Sequence, residues 1–217
     1  TIAAGLYEQY QTLLRQRHLI DYDDMILAAL RVLDDEAARQ FWQRRVFAVF
    51  EDEAQDSSPL QTRLLKTLAA DAEQSDAPLN LVRVGDPNQA INSTFTPADP
   101  VFFNQFCDRA QQQQRLVVMA QAGRSSAVIM AAANATLQWV NQSGLAGTVR
   151  PFREQLIQAV PADDPQPDAN PAPLGGGVEF YRPETVTETV RQIAARSLAL
   201  FTADPTLSFT ILVRENR

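Results

Sequence analysis

Apolar positions recur along this chain with two different periods, and the change of period marks its elements. Ile2, Leu6, Tyr10, Leu13 and Leu14 fall close to helical spacing and predict a helix over 2–17. A second helical pattern opens at Asp21, a suitable N-cap, and runs through Met25, Ile26, Ala29, Leu30 and Leu33. A short third helix over 36–44 leads into a β-prone run, Val46–Phe50. Pro59 follows Ser57-Ser58 as a helix start, with Leu60, Leu64, Leu65 and Leu68 on the apolar side. The run Leu79–Val84 predicts a second strand, closed by the turn Gly85-Asp86-Pro87-Asn88. Beyond it come a helix at 100–109, a strand at Arg115–Met119 and a long helix at 125–140. Further on, the pattern predicts a strand at Val178–Tyr181, a helix at 184–201 and a strand at Leu207–Val213.

Strands and helices that alternate in this way predict an α/β protein with a parallel sheet and helices on its faces. Residues 161–177 hold five prolines and three glycines with almost no large apolar side chain, and read as an exposed loop or linker. Composition narrows the classes. No apolar run reaches the ~20 residues of a membrane-spanning helix, and the start has the pattern of no secretory signal. The absence of an initiating Met suggests a chain cut out of something longer or processed. Cys107 is the sole cysteine, which excludes an internal disulfide and fits a reducing, cytoplasmic setting. A net charge of −7 argues against a surface that coats nucleic acid, but leaves room for a local phosphate-gripping groove.

The candidate chemistry lies where the first strand stops. Val46–Phe50 runs into Glu51-Asp52-Glu53-Ala54-Gln55-Asp56, so carboxylates stand at the carboxyl edge of a sheet, where α/β proteins bind ligands. Two adjacent acids there can divide nucleotide hydrolysis between them, one holding Mg²⁺ and the other orienting the attacking water. The second strand also ends in polar residues, and Gln89 in that turn can donate to a phosphate and accept from water. Phe95 is an aromatic in a polar loop, the residue type on which single strands stack. Arg124 precedes a helix and could stabilise charge on a transferring phosphoryl group. His18 and Cys107 have no partners at metal or catalytic-dyad spacing and read as structural. Of the 19 basic residues Lys66 alone is lysine, and Leu64-Leu65 stand before it where a phosphate loop needs glycine. The chain carries no Walker A sequence.

In order along the chain, these pieces resemble the UvrD/Rep/PcrA-like helicases of superfamily one. Ile20-Asp-Tyr-Asp-Asp-Met-Ile26 is similar to that family's re-entry into its first RecA-like domain. Asp52-Glu-Ala-Gln-Asp56 resembles its Walker B motif, with Gln61 at a downstream glutamine. Gly85-Asp-x-x-Gln89 followed by Ile91 resembles its third motif, Arg124-Ser125 the end of its arginine-bearing motif, and Ile211–Arg214 a later strand. Asn92, Thr96 and Ala122-Gly123 depart from the family pattern.

The resemblance implies RecA-like (P-loop NTPase-like) three-layer parallel sheets, with residues 1–112 as part of a first domain and 113–217 as the opening of a second. It implies ATP and Mg²⁺ as cofactors, with Asp52 on the metal, Glu53 as catalytic base, Gln55 near the nucleotide, Gln89 on the γ-phosphate and Arg124 as arginine finger. Phe95 falls where the family stacks DNA. The expectation is then a piece of an ATP-dependent helicase that translocates 3′ to 5′ on single-stranded DNA, itself inactive, with Walker A before residue 1 and the last motifs after residue 217. The alternative is a non-catalytic interaction or scaffold module derived from the helicase fold.

Overall fold

A computed structural model describes residues 2–74, 77–91, 99–144, 147, 150–172 and 177–213. All seven anticipated helices form: α1 (Ile2–Gln16), α2 (Tyr22–Asp34), α3 (Glu36–Gln43), α4 (Pro59–Ala69), α5 (Pro100–Gln112), α6 (Ala127–Gln142) and α7 (Val186–Ala203). Their starts follow from local capping. Asp21 accepts from the Asp24 N–H at 2.8 Å while Asp24 reaches back to the Asp21 N–H, a reciprocal box that begins α2. Ser58 and Gln61 make the same box ahead of α4 at 3.2 and 2.7 Å, with Pro59 at its first position. Asp35 and Asp99 cap α3 and α5.

Two of the anticipated strands form, and they are parallel: β1 (Val49–Glu51) and β2 (Leu81–Arg83), in the register Val49 to Leu81, Phe50 to Val82 and Glu51 to Arg83. A parallel pair needs a crossover, which α4 supplies. The expected strands at Arg115–Met119, Val178–Tyr181 and Leu207–Val213 are not strands. A strand exists only where a neighbour takes up its N–H and C=O groups, and the sheet among the described residues ends at β1 and β2. Unladdered, these runs leave Val117, Phe180 and Leu212 exposed. The segment 161–172 carries no helix or strand and is largely exposed, as its composition predicts.

The chain divides into two compact units. The first comprises residues 1–121 and 134–157. In it α2, α3 and α4 pack together, burying Leu30 and Leu33, and α5 packs against the turns that follow β1 and β2. Its core cluster joins Ala54, Phe103 and Cys107, flanked by Phe106 and Leu116. Among the described residues the extended segment 152–157 has no strand partner, and asparagine amides stand in for one. Asn88 pairs both ways with the Arg153 backbone at 3.0 and 2.8 Å, Asn134 with Ile157 at 2.8 and 2.9 Å, and Asn141 with Phe152 at 3.0 Å each way. Each primary amide uses one N–H and its C=O, as a neighbouring peptide edge would.

The second unit comprises residues 122–133 and 158–217. Met130 and Ser126 are buried in it. Thr185 caps α7, a helix with no buried residue among those described.

Candidate active site

The acidic run splits by burial. Glu51, the last residue of β1, points inward: its carboxylate receives Arg83 Nε and the Ser57 hydroxyl, and the Glu51 and Arg83 side chains are only 8% and 4% exposed. Arg83 also reaches the Ala54 carbonyl at 3.4 Å and Thr62 Oγ1 at 3.3 Å, and its guanidinium lies 5.0 Å from the centre of the Phe106 ring. Two charges are tolerated there because they meet each other and further hydrogen bonds. Glu51 is thus a structural acid.

Asp52 and Glu53, by contrast, are exposed at the carboxyl end of β1. Asp52 Oδ1 accepts the Glu53 N–H at 2.9 Å. Glu53 adopts a left-handed backbone (φ 51°, ψ 40°), a conformation that a side chain resists and the surroundings must enforce. The turn Ala54–Asp56 follows at once and sends Gln55 inward, where it is 2% exposed.

Gln55 joins the two strand ends. Its Nε2 donates to Glu53 Oε2 at 2.6 Å, and its Oε1 accepts the Asp86 N–H at 3.0 Å. The Ala54 N–H donates to the Val84 carbonyl at 2.9 Å, and the Val84 N–H to the Glu51 carbonyl at 2.8 Å, so the β1–β2 pairing continues into the loops. This closeness explains Gly85: a Cβ there would stand 2.5 Å from Gln55 Oε1 and 3.0 Å from Phe103. Beyond it, Asp86 Oδ1 accepts the Asn88 N–H at 2.9 Å and Oδ2 accepts Gln89 Nε2 at 3.0 Å. Glu53 and Gln89 are therefore linked through two side chains, Gln55 and Asp86, and both remain exposed to solvent.

Arg124 lies in the second unit, exposed, three residues before α6. Its loop is held by Asn170, whose Nδ2 donates to the Ala122 and Ser125 carbonyls at 2.6 and 2.8 Å and whose Oδ1 accepts the Val160 N–H at 3.0 Å. Phe95, with Asn92 and Thr96, falls outside the described residues. Cys107 is buried, and burial pushes its thiol above the ordinary value while Arg153 pulls the other way. His18, at φ 54°, closes the end of α1 through its backbone, donating to the Arg15 carbonyl at 3.2 Å.

Sequence reasoning missed Arg83 and Asp86. Arg83 had a signal: a charge within the apolar run Leu79–Val84 has to find a buried partner. Asp86 stood in the pattern Gly85-Asp-x-x-Gln89, but its link to Gln55 needed the neighbour in space to be seen.

With this geometry in view, the relatives fall into place. The UvrD/REP helicase N-terminal domain family matches residues 1–111, and the chain belongs to it. The chain is similar to an ATP-dependent helicase/nuclease subunit from Latilactobacillus sakei, at 34% identity over 125 residues, 54% of this chain and 13% of that protein. It is 32% identical over 136 residues to the ATP-dependent DNA helicase UvrD1 of Mycobacterium tuberculosis, 62% of this chain and 17% of that one. The exonuclease/helicase subunit RexA of Streptococcus pneumoniae is 28% identical over 165 residues, 74% of this chain and 13% of its own length. The chain thus spans less than a fifth of each of these relatives. Among the described residues, no helix is long and apolar enough to cross a membrane.

Proposed function

We propose that this chain is the acid-bearing part of an ATP-driven motor that moves 3′ to 5′ along single-stranded DNA, working in the cytoplasm. In this reading residues 1–112 belong to a first RecA-like, three-layer domain and 113–217 open a second. The observation that carries it is the tie through Gln55, whose amide bonds the exposed Glu53, next in sequence to Asp52, and the Asp86 N–H in the loop of Gln89.

The donor set fits a hard cation that keeps most of its water. No group of three metal-ligating side chains occurs among the described residues. Mg²⁺ at a nucleotide site commonly takes one or two carboxylates and fills the rest with water and phosphate oxygens. Asp52 would hold it through Oδ2, since Oδ1 is engaged with the Glu53 N–H. When bound, the ion supplies charge neutralisation on the phosphates. Glu53 then acts as base: Gln55 holds its Oε2, which turns Oε1 toward solvent to take the proton of the attacking water. Gln89 orients that water and the γ-phosphate once its amide leaves Asp86. Arg124 is the arginine finger and Phe95 the base-stacking residue. ATP hydrolysis needs the phosphate loop that this sequence does not contain, so the chain alone is expected to be inactive.

Joined to a segment bearing Gly-x-x-x-x-Gly-Lys-Thr, the chain is expected to hydrolyse ATP with DNA stimulation. Glu53→Gln should then lower kcat by about 10²–10⁴, and Arg124→Ala by about 10³–10⁵. Turnover unchanged in Glu53→Gln would sink the assignment. A second reading, a non-catalytic interaction or scaffold module derived from the same fold, predicts no DNA-stimulated turnover even in the joined protein.

A further inference from the structure

A second polar site lies in the first unit, with none of the exposed carboxylates in its lining. A pocket of about 420 Å³ is lined by α4, β2 and α5. Thr62, Arg63 and Lys66 come from α4, Arg83 from β2, and Phe102 and Arg109 from α5. Positions 63 and 66 are three apart and positions 102 and 109 seven apart, so each helix contributes one face. Facing helix stripes inside one unit are ordinarily apolar; these carry hydroxyls, cations and one aromatic.

The charge is lopsided. In a chain with 26 acidic and 19 basic residues, this lining holds four cations and no carboxylate. Arg83 is neutralised from behind by Glu51. Arg63 has only a loose, exposed contact with Asp34 at 3.8 Å. Among the described residues, Lys66 and Arg109 make no ion pair. Lys66 and Arg109, with Arg63 met only by its exposed contact to Asp34, repel one another, and an anion relieves that repulsion. Phe102, 43% exposed on the same wall, offers a ring face on which a base can stack. Guanidinium and ammonium groups beside an aromatic ring form the combination that holds a single strand by its phosphates and bases.

We propose that this α4–α5 pocket binds a phosphate group carried on a single-stranded polynucleotide, with Arg63, Lys66 and Arg109 on the phosphate and Phe102 under a base. The choice of polynucleotide rests on the nucleic-acid reading above; the phosphate chemistry rests on the pocket alone. The site shares no residue with Asp52, Glu53, Gln89 or Phe95, so the two proposals fail separately.

The test is the anisotropy of a fluorescein-labelled oligothymidylate titrated with the chain at several salt concentrations. In Lys66→Gln/Arg109→Gln, the slope of log affinity against log salt should become shallower by about 0.7 for each phosphate no longer neutralised. Phe102→Ala should weaken binding about tenfold while leaving the slope unchanged. Lys66 and Arg109 are exposed, and unchanged thermal unfolding would show that the fold survives; if the double variant unfolds early, Lys66→Gln alone is read. Phosphorus NMR of inorganic phosphate supplies the other arm. Loss of its binding in the double variant, with oligothymidylate binding intact, would retain the phosphate site and overturn the polynucleotide source. Parental affinity and slope in all variants, with no phosphate binding, would overturn the proposal. So would displacement of the oligonucleotide by polyglutamate at equal charge concentration.

Discussion

The loops that follow β1 and β2 are fixed by buried groups, whereas the loop that carries Arg124 is held by Asn170 and one backbone hydrogen bond to Gln158. In the first region, the Glu51–Arg83 pair, the buried Gln55 amide and two backbone hydrogen bonds form a frame beneath Asp52, Glu53 and Gln89. In the second, Asn170 reaches Ala122, Ser125 and Val160 by its side chain and Gly123 through its N–H at 2.6 Å, and the Ala122 N–H meets the Gln158 carbonyl at 2.9 Å. Both arrangements end in exposed polar side chains, but the cost of disturbing them differs. Groups removed from water must be paired or they destabilise the fold, while a clamp near the surface can be replaced by water. The first region is built to hold geometry, and the second to hold a loop.

The largest expected effect tests the buried frame. Arg83→Met leaves Glu51 charged and unpaired in the interior, and should cost about 3–5 kcal/mol in urea unfolding. A loss below about 1 kcal/mol, the range of an exposed pair, would mean that the frame is not what holds the strand ends together. Next, Gly85→Ala forces a methyl against Gln55 Oε1, Phe103 and the Ala54 nitrogen. Overpacking of this kind costs about 1–3 kcal/mol. The penalty should shrink in a Gln55→Ala background, because the nearest clash disappears; strictly additive losses would deny the contact. The smallest effect belongs to the other region. Asn170→Ala should lower stability by about 1 kcal/mol and chiefly speed hydrogen exchange of the Val160 amide, which Asn170 Oδ1 accepts. If it proved as damaging as Arg83→Met, the contrast between the two regions would fail.

Local features of the sequence were legible because their causes are local. Asp21 and Ser58 act within three residues of themselves, and the helices that they begin are present. The acidic residues at a strand end were visible too, since an apolar run that stops in carboxylates says where the chain leaves a sheet. The third, fourth and fifth strands were not reliably legible. Val178–Tyr181 and Leu207–Val213 have strand-like composition, but a strand is a relation between two segments, and composition names only one of them.

The sequence by itself determined seven helices, the order of β1 and β2 around α4, and which residue types stand at the strand ends. Only the tertiary structure decided which acid of the run 51–53 is buried, because burial depends on Arg83, some thirty residues away in sequence and opposite Glu51 in register. It likewise decided that Gln55 spans from Glu53 to Asp86, and that the basic residues of α4 and α5 line one pocket. Periodicity and capping are read from neighbours along the chain. Pairing of charges and completion of hydrogen bonds depend on neighbours in space, which the sequence does not state.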